Sequence, residues 1–192
     1  MGTYETILER RTIRKFKQKR IGRDILEKLV NTGRLAPSAA NLQPLEYFIA
    51  DDDALKEKIF PNLAWAGYIK PEGDPGEGER PAAYIVILSD RRKNASPDRD
   101  IGASAQNINN VAQEEGIGIC WIGAFKKKEI SQIIGALEKL TVELVLALGY
   151  PLESPVCEDI EKDGSIKYYK DRSGRLHVPK RKLEDIVHFN SF

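Results

Sequence analysis

Three stretches of the chain hold residue types able to grip something charged or flat. The first is Arg10-Arg11-Thr12-Ile13-Arg14-Lys15-Phe16-Lys17. Arg10, Arg11, Arg14, Lys15, Lys17, Lys19 and Arg20 crowd one short span, although the 192-residue chain carries a net charge of only +1. Such a local excess needs solvent, neighbouring acids or an anion. Arg10, Arg11 and Arg14, with the Thr12 hydroxyl between them, can converge on one phosphate-sized target. Guanidinium forks make bidentate charge-assisted bonds that a mobile ammonium cannot. Lys15, Lys17, Lys19 and Arg20 read as plain surface, and alternation with Phe16 predicts a half-buried extended segment. A solvated basic face is the competing reading of the whole cluster.

The second stretch, Ala36-Pro37-Ser38-Ala39-Ala40-Asn41-Leu42-Gln43-Pro44, is bracketed by prolines and filled with small and amide residues. Its backbone can approach something flat, with Ser38, Asn41 and Gln43 offering neutral hydrogen bonds; an ordinary surface loop would have the same composition. The third is Gly116-Ile-Gly-Ile-Cys-Trp-Ile-Gly123. Its Gly-x-Gly precedes a strand, whereas a dinucleotide fingerprint follows a strand and opens a helix, so the Rossmann reading is rejected. Ile122 and Gly123 instead look placed to show backbone amides to a ligand edge. Lys180, Arg181 and Lys182 form a second basic cluster, which meets the first on one anion if the termini are adjacent.

The elements that must position these residues follow from periodicity. Thr3 is expected to cap a short helix through Glu9 with Ile7 and Leu8 inward. Ile25, Leu26, Leu29 and Val30 predict an amphipathic helix from Arg23 to about Leu35, ended by Pro37. Strands are expected at 46–50, 82–88, 116–123 and 142–148, the second and last being continuous apolar runs of the buried-sheet kind. Short helices are expected at 51–59 and 127–134. Ile101, Ala105, Ile108 and Ala112 define a longer one from Asp98 to Glu115, capped by Gly116. Asn107, Asn109 and Asn110 are poor helix formers, so tertiary contacts must hold it. Pro61 to Pro81, rich in glycine and proline, reads either as a mobile excursion able to cover a site or as a disordered acidic loop. Beyond Pro151 polar loops are expected, then the basic stretch Gly174 to Lys182 and a last segment from Leu183 to Val187.

Composition narrows the classes. A chain 41% hydrophobic can build one full core and is short for two. Near-neutral charge and basic runs without interleaved aromatics argue against nucleic acid as the main partner. No apolar run reaches membrane-spanning length and the first residues lack a signal-peptide core. Cys120 and Cys157 stand apart, as two free thiols of a cytoplasmic protein would. His177 and His188 are too scattered to suggest a metal site.

Taken together, Arg10-Arg11-Thr12-Ile13-Arg14-Lys15-Phe16, Ala36-Pro37-Ser38-x-x-Asn41-x-Gln43-Pro44, Gly116-Ile-Gly118-x-Cys120-Trp121-Ile122-Gly123 and Leu148-Gly149-Tyr150-Pro151 resemble the FMN-dependent nitroreductase family in order and spacing along almost the whole chain. The resemblance implies one domain over residues 1–192 with an α+β fold, a central, mainly antiparallel sheet flanked by helices. It also implies an intertwined homodimer with one FMN at each end of the interface. Arg10, Arg11 and Thr12 would hold the phosphate and ribityl chain, and Arg14 would lie near flavin N1 and O2. Pro37, Ser38 and Asn41 would come from the partner subunit, and Ile122 and Gly123 would present backbone near N5 and O4. Lys180 and Arg181 match the C-terminal phosphate ligands. Leu45 departs from the pattern, since an aromatic residue often follows Gln-Pro. The implied activity passes electrons by a ping-pong route from NAD(P)H to a nitroaromatic, quinone or similar acceptor. No side chain is required as catalytic acid or base, because the cofactor carries the redox chemistry. A non-catalytic or specialised flavin-binding protein on the same fold is the alternative.

Overall fold

The computed structural model describes residues 2–192. At its centre lies a four-stranded sheet in the order β1-β2-β4-β3, formed by β1 (Leu45–Ala50), β2 (Ala83–Ser89), β3 (Gly118–Ile122) and β4 (Thr141–Gly149). All three pairings are antiparallel. The central strands β2 and β4 are buried on both faces, which is why they read as unbroken apolar runs.

Each face of the sheet packs its own helices. Ile85, Ile87, Leu146 and Leu148 join Leu26 and Leu29 of α2 (Arg23–Arg34) and Ile101, Ala105, Ile108 and Ala112 of α4 (Asp98–Glu114). On the other face Tyr84, Val86, Val145 and Ala147 pack with Ile59 of α3 (Asp53–Ile59) and Ile130 of α5 (Lys127–Ile133). The asparagines of α4 are held as expected from outside the helix or across its turns. Asn107 donates to the Thr32 carbonyl at 3.2 Å, Asn110 accepts from Gln106 at 2.7 Å, and Asn109 is buried. Gly116 sits at φ +69° just past the helix end.

Several expectations are corrected. Helix α1 (Thr3–Glu9) has Gly2 rather than Thr3 at its cap, and Thr6 is its buried residue. Ile7 and Leu8 are 46% and 53% exposed rather than inward. The 61–81 segment is neither a disordered loop nor a free excursion. Leu63 bridges Phe125, Ala64 N–H donates to the Ala124 carbonyl at 2.9 Å, and Phe16 N–H donates to the Glu79 carbonyl at 2.9 Å. Lys15 is half-buried and paired with Glu79 at 2.7 Å, not plain surface. The tail is not all loop either. There β5 (Val156–Ile160), β6 (Tyr169–Lys170) and β7 (Leu176–Arg181) form a second sheet in the order β5-β7-β6, with β5 and β7 parallel. Among the described residues no helix is long and apolar enough to cross a membrane.

Candidate functional site

The basic segment crosses the end of the central sheet. Thr12 bridges Ile119, Phe16 bridges Pro151, and Ile13 N–H donates to the Ile119 carbonyl. Two glycines make the crossing sterically possible. A Cβ on Gly118 would lie 2.4–2.9 Å from Ile13, and one on Gly149 2.7–2.9 Å from Phe16. The second glycine of the Gly-x-Gly therefore admits a neighbouring chain segment. Ile13 and Phe16 are buried as anchors, so Thr12 and Arg14 project from the segment between fixed points.

The charges are held unevenly. Arg11 donates to the Arg10 carbonyl at 2.6 Å and to the Leu8 carbonyl, where it satisfies the C-terminal end of α1. Arg10 is half-buried, and its guanidinium forms no hydrogen bond or ion pair among the described residues. Burial first and Arg11 second lower its pKa from the ordinary guanidinium value. An anion beside it would offset these effects by favouring the charged form. The Arg14 backbone N–H is held by Glu153 at 2.5 Å, and its guanidinium lies over the Tyr168 ring at 5.0 Å.

Arg14 opens onto a cleft of about 210 Å³, floored by Cys120, Trp121, Ile122, Gly123 and Ala124 and flanked by Ala64, Trp65, Ala66, Gly67 and Tyr168. Alanines and glycines alternate there with the rings of Trp65, Trp121 and Tyr168, a lining suited to a planar guest. Trp65 keeps its indole N–H buried without a partner. Cys120 is buried, and that burial pushes its thiol up to about 11 against the opposing pull of Arg14. It stays a neutral thiol near neutrality, a lining atom rather than a nucleophile.

The second stretch lies elsewhere in the protomer. Pro37, Ser38, Gln43 and Pro44 line a separate hollow of about 80 Å³ with Tyr47 and Asp100. The buried Asp100 carboxylate accepts from Ser38 Oγ at 2.7 Å and from Ala39 N–H at 3.3 Å; Ser38 Oγ in turn accepts from Gln43 N–H at 3.0 Å. Ala40, Asn41 and Gln43 adopt φ of 47°, 54° and 46°. Three non-glycine residues in the left-handed region store strain of about 1–3 kcal/mol each, a pattern that clusters at binding sites. No residue lines both hollows. Each is smaller than the roughly 300 Å³ at which small-molecule pockets begin.

Of the sequence candidates, Arg14, Ile122 and Gly123 share the cleft, and Arg10, Arg11 and Thr12 lead up to it along the same segment. Pro37 and Ser38 share the second hollow, whereas Asn41 is exposed on the turn between Ser38 and Gln43 and does not line it. Lys180 and Arg181 stand at the end of β7. Arg181 donates to the Asp185 carbonyl at 2.9 Å, and neither residue bonds to the front segment among the described residues. Trp65 stands in the 61–81 segment, which reads as able to cover a site, whereas Asp100, Glu153 and Tyr168 were not anticipated. Of these three only Asp100 left a trace, as an acid in the first turn of a helix.

Fold and cleft together define the class: an α+β protein with an antiparallel central sheet and, at its edge, a cationic cleft walled by small and aromatic side chains. The chain belongs to the nitroreductase family, whose model matches residues 7–150. A protein of Archaeoglobus fulgidus provisionally named NADH dehydrogenase/NAD(P)H nitroreductase is 29% identical over 153 residues, which covers 76% of this chain and 83% of the relative. An NADPH-flavin oxidoreductase of Vibrio harveyi is 24% identical over 171 residues, covering 80% of this chain and 68% of the relative. Among solved structures, an FMN-dependent nitroreductase of Clostridium difficile is 25% identical with a TM-score of 0.68, covering 97% of this chain and 98% of that one.

Proposed function

We propose that this chain is an FMN-dependent oxidoreductase that draws electrons from NAD(P)H and delivers them to a nitroaromatic, quinone or similar acceptor. The reading rests on the cleft lined by Arg14 and aromatic side chains, approached along the same segment by the half-buried Arg10, whose guanidinium has no partner among the described residues. A planar ring with an anionic tail answers both features, and relatives in the family carry flavin and FMN in their names. The functional unit is a homodimer of single-domain protomers, since a cleft of about 210 Å³ and a hollow of about 80 Å³ are halves of one site only if two copies meet.

FMN, when bound, would accept a hydride from NAD(P)H and release its electrons to the acceptor in a later encounter, a ping-pong order. NAD(P)H, a proton and a quinone thereby yield NAD(P)+ and a hydroquinone. The protein's part is to bind, orient and tune. Arg10 and the Thr12 hydroxyl would hold the phosphate and ribityl chain, helped by whichever Arg11 donors α1 leaves free. Arg14 would place a fixed cation where negative charge gathers in the reduced ring, near N1 and O2. Ile122 and Gly123 would offer backbone at the N5 and O4 edge. Pro37, Ser38 and Asn41 would enclose the ring from the partner copy, with Asp100 fixing the Ser38 hydroxyl. Lys180 and Arg181 would add phosphate contacts once a ligand is present.

Purified protein should be yellow, or turn yellow on addition of FMN, and should then consume NAD(P)H steadily with a quinone. Colourless protein that takes up no added FMN overturns the reading. Tight flavin binding without turnover would instead favour a flavin-binding protein on the same fold.

A further inference from the structure

The cleft has one wall from outside the stretch that the family model matches. Residues 7–150 supply Arg14, the 64–67 wall and the 120–124 floor, whereas Tyr168 arrives from the β5–β7 module. Its ring lies 5.0 Å under the Arg14 guanidinium. Behind it stands Tyr68, with ring centroids 4.9 Å apart at 54°, and the Tyr68 N–H reaches the Tyr168 hydroxyl at 3.5 Å. Lys167 lies over the Tyr68 ring, and Lys170 Nζ donates to the Glu72 carbonyl at 2.8 Å. Two segments far apart in sequence are thus clasped together at the side of the cleft. Tyr168 is half-buried and Tyr68 is largely exposed, so the clasp is held by few contacts and faces solvent.

We propose that Tyr168 is a specificity-determining residue that favours planar aromatic acceptors over compact, non-aromatic ones. This rests on the flavin site proposed above. The floor of the cleft is the run from Cys120 to Ala124 at the end of β3, fit for a cofactor, while Tyr168 rises at its flank with its ring against the Arg14 cation. An aromatic guest lying on the open side of the cleft meets that ring and gains edge or offset stacking. A compact inorganic oxidant gains nothing from it. The same ring shields Arg14 from water on one side, which strengthens the cation's field inside the cleft.

The test compares wild type, Tyr168→Leu and Tyr168→Phe, each reconstituted with FMN, using a naphthoquinone and ferricyanide as acceptors. Tyr168→Leu should lower the preference for the quinone over ferricyanide about tenfold, the weight of one aromatic contact, mostly through the quinone KM. Tyr168→Phe should keep the preference within about twofold. The FMN dissociation constant, read by flavin fluorescence, should move much less than the preference. Tyr68→Ala removes only the backing ring and should shift the preference in the same direction by less, which covers the case of a misfolded Tyr168→Leu. An unchanged preference, or FMN affinity that falls as far as the preference does, overturns the role of Tyr168 while leaving the flavin reading intact. Wild type that takes up no FMN overturns both.

Discussion

At the scale of single residues, the front arginines divide by what already satisfies them. Arg11 spends donors on the carbonyls that end α1, whereas the Arg10 guanidinium has no partner among the described residues and that of Arg14 has only the Tyr168 ring face and the neutral Cys120 thiol. Replacing Arg10 and Arg14 together with methionine should therefore release FMN without unfolding the chain. A hydrogen bond to a charged group contributes about 1.5–3 kcal/mol, so the pair should weaken FMN binding at least a hundredfold. Fluorescence titration measures the affinity, and thermal unfolding should show little loss, since no core contact or ion pair is removed. Full flavin occupancy in the double variant would reduce the cluster to solvated surface. These residues were legible as candidates because their types and spacing fall in one short segment. Tyr168 and Asp100 were not legible, since their roles exist only where the chain returns to a place set by tertiary structure.

At the scale of elements, the central sheet and its helices were legible to within a residue or two, because apolar periodicity reports burial directly. The strands β5 to β7 were not. Their alternation mixes charged and half-exposed residues, as in Val156-Cys157-Glu158-Asp159-Ile160, and the ladder rather than a core holds them. Part of what holds them is His177 on β7, which bonds Glu158 at 2.8 Å and Asp171 at 3.3 Å and stacks on Tyr169 with centroids 4.9 Å apart. Glu158, then Asp171, raise the His177 pKa above its ordinary value, and His177 in turn helps keep Glu158 low. A raised folded pKa means the His177 contacts contribute fully below the unfolded value of roughly 6.5 and are lost as pH rises through the folded value. Amide hydrogen exchange corrected for intrinsic rates should accordingly show β6 and β7 opening more readily at pH 8.5 than at pH 5.5. His177→Gln should flatten that difference, and a pH dependence that survives the substitution would assign it to another group. Because Tyr168 directly precedes β6, the same loosening should reach the wall of the cleft.

At the scale of the whole molecule, the apolar surface of one protomer is arranged as if for a second. Tyr4, Ile7 and Leu8 of α1 are exposed, and so are Leu183, Ile186, Phe189 and Phe192 in the tail. Ile7 and Leu8 were expected to face inward; their exposure leaves an apolar face on α1 that a second copy would cover in the proposed dimer. The division of the candidate site points the same way, since the strained 40–43 turn and the cleft under Arg14 line separate hollows of one chain. A ligand gripped by both copies binds the dimer and not the monomer. It must then stabilise association by RT ln(1 + [L]/Kd), about 2.7 kcal/mol per site at a hundred times Kd. Sedimentation velocity across a dilution series should show FMN shifting the monomer–dimer midpoint to lower protein concentration, with flavin and dimer lost together. Asn41→Ala should weaken FMN in the dimer and shrink that shift, while leaving apo association nearly unchanged, because Asn41 is exposed on the turn and packs in no core. Reciprocity makes the two measurements checks on each other, since the factor by which FMN tightens the dimer must equal the factor by which dimerisation tightens FMN. A stable monomer that holds its flavin through the dilution would break that equality and return the whole site to a single chain.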